Sequence, residues 1–336
     1  MIVVTGAAGF IGSCVVSRLN KEGFEDLILV DHINGIAPNA DNASQGQQSL
    51  ALKKENLKGK KYRTYREKKA FLDLIARDQL DKKIKCIIHM GACSSTTLQD
   101  AKYFEENNFE YTLKTAQWAL KNNVRFIYAS SATTYGDGAG GYRDDDASIR
   151  RCKPLNLYGQ SKQKFDLWAL DQGVLDKIVG IKFFNVFGPN EYHKGDMRSV
   201  VSKSYDRVVR EGKMALFKSY HKDYQDGEQK RDFIYVKDAV DVVLFFFKNT
   251  GVNGIFNLGT GEARTWNDLA NGLFKAVGKK PSIEYVPMPE NLQNKYQYFT
   301  QADMSKLRRS GYTKPFTSLE DAVLDYAGYL KDHRHL

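Results

Sequence analysis

The chain has 336 residues, 42% of them hydrophobic and 27% charged, a length and balance that allow a large buried core and exclude a disordered or fibrous polypeptide. Its formal net charge of +10 invites a nucleic-acid reading, but the densest basic stretch, Lys53 to Lys69, contains Glu55 and Glu67, and no aromatic-basic stacking module accompanies it. That stretch reads as a solvated basic face that would also draw in an anionic nucleotide, so no nucleic-acid partner is expected.

Met1 opens directly into the apolar Ile2–Thr5, with no basic region, apolar signal segment or small-residue cleavage site, and a cytoplasmic location is expected. Ile2–Thr5 reads as a strand that runs into a turn with Gly6, Gly9 and Gly12, followed by a helix-compatible Ser13–Leu19. Such a turn lets the backbone approach a pyrophosphate, while the helix start offers free N–H groups and positive dipole. A glycine triplet also marks ordinary turns. Here a second strand, Leu27–Val30, ends in Asp31 about 20 residues on, where a carboxylate meets the adenosine ribose of a dinucleotide.

Between Asp31 and Asn56 a Gly, Asn, Ala, Ser and Gln stretch with little periodicity predicts a flexible surface loop near the adenosine end, with residues 34 to 52 as an insertion. Further strands are predicted at Cys86–Met90, Phe126–Ser130 and Val179–Phe184, with connections long enough for parallel crossovers. The fold class is therefore α/β, a Rossmann-type doubly wound parallel sheet with a smaller mixed α/β substrate-binding lobe. Residues 1–170 are expected to form the dinucleotide-binding domain, with the chain returning near 180–188 and 232–260, where Asp232–Val236 and Gly254–Gly259 look like core strands. Residues 189–336 are assigned mostly to the substrate lobe. The longest apolar run, near Val242–Phe247, is too short to span a bilayer, so no membrane partner is expected. Cys14, Cys86, Cys93 and Cys152 lack paired metal-ligand spacing and suit reduced thiols, with neither disulfide nor metal.

The residues that carry chemistry follow the strand at 126–130. Ser131 stands at its end, and Tyr158 and Lys162 lie one helical turn apart, which puts both side chains on one helix face. A nearby ammonium lowers the pKa of a phenol, and a serine hydroxyl at the neighbouring strand end can share the proton. This is a base with its orienting group, suited to removing a proton from an alcohol as hydride leaves its carbon.

In that order, the glycine turn, the acidic strand end, the serine and the Tyr/Lys pair resemble the extended short-chain dehydrogenase/reductases of the NAD-dependent epimerase/dehydratase type, over nearly the whole chain. The strings Gly91-Ala92-Cys93-Ser94-Ser95-Thr96-Thr97, Phe184-Asn185-Val186-Phe187-Gly188-Pro189, His193-Lys194-Gly195 and Phe299-Thr300-Gln301-Ala302-Asp303 are similar, more narrowly, to the ADP-L-glycero-D-manno-heptose 6-epimerase family. That resemblance implies a tightly held NADP that oxidises C6 of an ADP-heptose and returns the hydride to the opposite face, supplying heptose for the lipopolysaccharide core. It implies Tyr158 and Lys194 as the two proton-handling groups, Lys162 on the nicotinamide ribose and tuning Tyr158, and Ser131 on the reacting oxygen. By the residues alone, Lys194 reads equally as a surface lysine on a Gly-flanked loop.

The same resemblance puts Phe10, Ile11, Asp31, His32, Lys53 and Lys68 around the adenosine end. It puts Gly91, Ala92, Cys93, Ser94, Asn107 and Val186 along the rest of the cofactor. Lys53 is the implied selector of NADP, while Asp31 would repel a 2′-phosphate unless cations offset it, so NAD stays open. For the ADP-sugar substrate it implies Asn185, Phe217, Lys218, Ser219, Tyr220, Arg231 and Tyr296, together with Asp196 and Lys203 at positions where the family pattern differs. Arg231 can grip a phosphate bidentately. The family also implies a homo-oligomer, specifically a pentamer. A 4,6-dehydratase is disfavoured because Ala132-Thr133 stand where its acid pair belongs, whereas a 4-epimerase is set aside by resemblance only. A dinucleotide-sensing protein without catalysis would not need the intact Ser131, Tyr158 and Lys162 set.

Overall fold

The computed structural model describes residues 1–33, 43–293 and 296–336. Seven strands form one sheet: β1 (Ile2–Thr5), β2 (Leu27–Asp31), β3 (Thr64–Glu67), β4 (Cys86–His89), β5 (Arg125–Ser131), β6 (Ile178–Phe183) and a later strand, Gly254–Leu258. Every pairing in it is parallel. The longer helices are α1 (Phe10–Lys21), α2 (Ala43–Glu55), α3 (Lys68–Ala76), α4 (Tyr111–Lys121), α5 (Leu157–Asp171), α6 (Val200–Glu211), α7 (Val236–Lys248), α8 (Trp266–Ala276) and α9 (Leu319–Lys331); α6, α8 and α9 pack together beside the smaller sheets.

The central strands are apolar on both faces because helices cover both sides. Alternate residues divide between two cores: Val3, Ile28, Ile87 and Phe126 pack with Phe71, Trp118 and Phe165, while Ile2, Val4, Leu29, Ile88 and Ile127 pack with Val15 and Val243. The register pairs Thr5 with Val30 and with His89, and Ser131 with Phe183, so the carboxyl ends of the strands open on one edge. In an open parallel sheet that edge is where a ligand binds.

The smaller elements are β7 (Asn185–Phe187), β8 (Met214–Phe217), β9 (Lys230–Tyr235), β10 (Gly254–Leu258, the seventh strand of the main sheet), β11 (Ala263–Thr265) and β12 (Ile283–Val286). A three-stranded sheet runs β11-β9-β7 and a two-stranded one pairs β12 with β8. Among the described residues no helix is long and apolar enough to cross a membrane.

Three sequence expectations are corrected here. The stretch read as a loop before Asn56 is helical over Ala43–Glu55, while residues 34–42 of that reading lie outside the described residues. Ala, Gln, Leu and Lys are strong helix formers, so propensity wins without an apolar stripe. The strand at 232–236 exists as β9 and is buried, but it pairs with β7 and β11 and does not rejoin the main sheet. The basic stretch 53–69 is not only a solvated face, because it contains the edge strand β3, paired with β2.

Candidate active site

The glycine turn closes around the end of β4. Gly6 has φ +63°, and a Cβ there would lie 2.7 Å from the Gly91 amide nitrogen. At Gly12 a Cβ would lie 2.0 Å from the Gly6 carbonyl oxygen, so only glycine lets α1 start this close to β1. Helix α1 starts at Phe10 with no side-chain cap on Gly9. The amides of its first turn, Ile11 and Gly12 among them, therefore lack intrahelical acceptors and present the positive end of the helix dipole. This donor set fits a pyrophosphate.

At the end of β2 the Asp31 carboxylate is buried and holds three donors. The Ala8 amide donates at 2.8 Å, the His32 amide at 2.7 Å and the Lys53 ammonium, from α2, at 2.9 Å. Lys53 also reaches the His32 carbonyl at 3.4 Å. The His32 ring lies 3.6 Å from the Glu67 carboxylate. Across the cleft Lys68 donates to the Asn107 side-chain oxygen at 2.5 Å and sits over the Tyr111 ring, and burial pushes its ammonium down to about 8.

The Gly91–Ser94 segment is held by a residue the sequence reading did not single out. Asn108 accepts the Cys93 amide at 2.8 Å and donates back to the Cys93 carbonyl at 3.0 Å and to the Ser161 hydroxyl at 2.9 Å. It lies in a π-helical turn, Glu105–Glu110, a form that recurs at functional sites. Asn56, noted only as a landmark after Lys53, is equally central. It is buried and donates to the Ala8 and Asn190 carbonyls, both at 3.0 Å. It thereby joins the glycine turn to the segment that carries Lys194. No sequence signal distinguishes either asparagine from an ordinary helix or loop residue.

Ser131 and Tyr158 meet across the end of β5. The Ser131 hydroxyl accepts from the Thr133 amide at 3.2 Å and hydroxyl at 2.9 Å, and it stands close enough to Tyr158 to influence its phenol. Tyr158 sits on α5, which is capped by Asn156 accepting the Gly159 amide at 2.8 Å. Burial pushes the Tyr158 phenol up to about 12, with Ser131 the opposing influence. The expectation that Lys162 lowers this phenol is corrected here. Its ammonium donates to the Ala129 carbonyl at 2.8 Å, and burial pushes it down to about 8, with Asp166 and Cys93 pulling the other way.

Lys194 is not a free surface lysine. Its ammonium lies 5.1 Å from the centre of the Phe10 ring, beside the glycine turn, and burial lowers its pKa while Glu191 opposes this. Its neighbour His193 is pushed down to about 3 by burial and by the nearby Lys53 and Lys194 charges. Asp196 and Lys203 are exposed, and Lys203 donates to the Asp196 carbonyl at 3.2 Å.

Of the remaining residues, Arg231 in β9 and Tyr296 meet. Arg231 is 6% exposed, and its guanidinium stacks 4.8 Å from the centre of the Tyr296 ring and 5.8 Å from Trp266. It donates to the Lys230 carbonyl at 2.9 Å, and among the described residues no carboxylate forms an ion pair with it. Burial lowers its pKa, with the phenols of Tyr296, Tyr142 and Tyr224 opposing. A buried guanidinium without an acid partner is a site for an anion. Asn185 and Val186 lie on β7, paired with Phe233 and Ile234 of the strand that carries Arg231. Phe217, Lys218 and Tyr220 are exposed, while the Ser219 amide donates to Asp226 at 2.7 Å.

Residues 2–259 match the family model for the NAD dependent epimerase/dehydratase family. The ADP-L-glycero-D-manno-heptose-6-epimerase of Nitratidesulfovibrio vulgaris is 50% identical over 326 residues, covering 97% of this chain and 96% of its own. The protein of the same name from Fusobacterium nucleatum is 42% identical over 340 residues, with 97% and 96% covered. Among solved structures, the Helicobacter pylori ADP-L-glycero-D-manno-heptose-6-epimerase superposes with a TM-score of 0.77 at 24% identity, covering 98% and 96% of the two chains. A Bacillus cereus UDP-glucuronic acid 4-epimerase in complex with UDP-glucuronic acid and NAD does so with a TM-score of 0.75 at 23% identity, covering 99% of each.

Proposed function

The chain belongs to the NAD dependent epimerase/dehydratase family, and from that premise we propose that it interconverts the C6 epimers of ADP-glycero-manno-heptose with a bound NADP. The observation that carries the reading is the pair of candidate proton-handling groups: the buried Tyr158 phenol beside Ser131, and the Lys194 ammonium set beside Phe10 of the glycine turn.

A bound dinucleotide would supply the hydride chemistry, a reversible oxidation at C6 of the sugar with no net redox. The α1 amides and the turn around Gly9 would hold its diphosphate, Gly91–Ser94 would line its path, and Lys162 would bind its ribose. NADP over NAD is supported by Lys53. Its contact with Asp31 turns a lone carboxylate, which would repel a 2′-phosphate, into a neutralised pair with a cation at its rim. Arg231 grips the sugar diphosphate, with Tyr296 and Trp266 stacked against it.

Inverting one centre presents the C6 oxygen in two orientations, and one base cannot reach both. Tyr158, with Ser131, serves one of them. Lys194, made less basic by burial, serves the other. The closing experiment releases and identifies the dinucleotide that accompanies the purified protein, then incubates the protein with each C6 epimer of ADP-heptose. An equilibrium mixture from either epimer is expected, and unchanged epimers would refute the proposal.

A further inference from the structure

Directly behind the reacting groups lies a charge pair that the chemistry above does not use. Lys182 of β6 donates to Asp166 of α5 at 2.6 Å, and both side chains are wholly buried. Asp166 also accepts the Tyr128 hydroxyl at 2.9 Å and the Ser130 hydroxyl at 2.7 Å. Lys182 gives a second proton to the Thr134 hydroxyl at 2.7 Å, and that hydroxyl donates to the Ser131 carbonyl at 2.8 Å. Asp166 stands one helical turn beyond Lys162, which stands one turn beyond Tyr158. All three therefore share the α5 face that meets β5, where Lys162 binds the carbonyl of Ala129 and Asp166 the hydroxyl of Ser130.

A buried ion pair is weak evidence for stability, since replacing both partners with apolar groups of like volume is often neutral. A device that fixes two elements and supplies a field to a neighbouring ammonium has a different use. We propose that Asp166 and Lys182 are positioning residues, locking the Tyr158/Lys162 face of α5 onto the end of β5 with a carboxylate one turn from Lys162. This rests on the roles given above to Tyr158 and Lys162. The titratable groups that face Lys162 are Tyr158 and Asp166 on its own helix, Cys93 after β4 and His89 on β4, with Lys182 of β6 behind Asp166. Burial drives Lys162 toward its neutral form and Asp166 is the largest influence against that.

The test compares the parent with Asp166→Asn, Lys182→Met and the double variant Asp166→Asn/Lys182→Met. Two quantities are followed against pH: NADPH affinity by fluorescence titration without sugar, and epimerisation kcat and KM. Affinity should weaken as Lys162 loses its proton, giving a breakpoint near 8 in the parent. Asp166→Asn leaves an uncompensated Lys182 and should move the breakpoint down by about 1 pH unit or more, the double variant should move it down by less, and Lys182→Met should move it up. In the double variant, which avoids a lone buried charge and so survives if the single ones do not fold, kcat should fall about tenfold or more with KM unchanged.

Coincident breakpoints across the variants overturn the proposal, as does a parent curve without one. A double variant with parental kcat overturns the positioning role. A parent that binds NADPH with the expected breakpoint yet turns over no ADP-heptose refutes the substrate assignment, and the binding curves alone then decide the role of the pair.

Discussion

If NADP is the cofactor, as proposed, replacing Lys53 by Ala should remove most of the preference for NADP over NAD. The ammonium is 22% exposed and 2.9 Å from a carboxylate that is itself 7% exposed. Two unit charges about 4 Å apart attract by about 4 kcal/mol at an effective dielectric near 20, and desolvation and salt reduce this to about 2 kcal/mol at a partly exposed site. That corresponds to a loss of about 30-fold in NADP affinity. The uncovered Asp31 charge pushes in the same direction, because it would then face the 2′-phosphate with no cation beside it.

NAD carries no 2′-phosphate, so its affinity should stay within about threefold. Asp31 itself should hold its place, since the Ala8 and His32 amides still donate to it. The assay is a fluorescence titration of parent and variant with both reduced dinucleotides at two salt concentrations. Lys53→Arg serves as the control that restores charge. Equal losses for NADPH and NADH, which leave their ratio unchanged, would remove Lys53 from the 2′-phosphate site and refute the reasoning.

Tyr158→Phe and Lys194→Met should each lower kcat about 10²- to 10⁴-fold while the dinucleotide stays bound; parental turnover in either variant, read by NMR of the two C6 epimers, would end the two-base assignment. Arg231→Met removes the acid-free buried cation and should raise the KM for ADP-heptose about tenfold or more without weakening NADPH binding, by the strength of charge-assisted hydrogen bonds. His89, buried between the Thr5 and Thr112 hydroxyls at 2.9 and 3.1 Å, has its pKa lowered well below 6.5, chiefly by burial. The unfolded chain then binds the proton first, so this stability is full above pH 6.5 and is lost as pH falls below it, by about 1.4 kcal/mol between pH 7.5 and 5.5. Urea titrations at the two pH values should show His89→Gln losing that much less than the parent; equal losses would contradict the linkage.

The parallel sheet was legible because its strands are short apolar runs whose ends carry chemistry. Val3 and Val4, Ile28 and Leu29, Ile87 and Ile88 are buried on both faces, so no alternation had to be detected, and the predicted bounds fall within a residue or so of those observed. Where polar residues dominate, the reading failed for a physical reason. Helix α2 has no apolar stripe because it lies over the cofactor edge, where its useful side chains, Ser49 and Lys53, point to His193 and Asp31. Its Gly and Gln residues read as loop. Edge strand β3 has one neighbour and solvent on its other side, so Thr64–Glu67 carries charges that a central strand could not.

The reacting groups were legible because spacing on a helix and position at a strand end are properties of the sequence itself. What lies behind them was not. Lys162 and Tyr158 could be placed on one face from their spacing, but the direction of their pKa shifts depends on burial, which spacing does not report. A lysine one turn from a tyrosine was expected to lower the phenol, yet in this structure its protons go to the Ala129 carbonyl and desolvation governs both groups. Asn56, Asn108, Asp166 and Lys182 bind partners 15 to 279 residues away in sequence. A single polar residue in a helix gives no hint of such a partner. The chemistry of this site is thus written in local patterns, whereas the electrostatics that decide when each group holds its proton arise only after distant segments close over it.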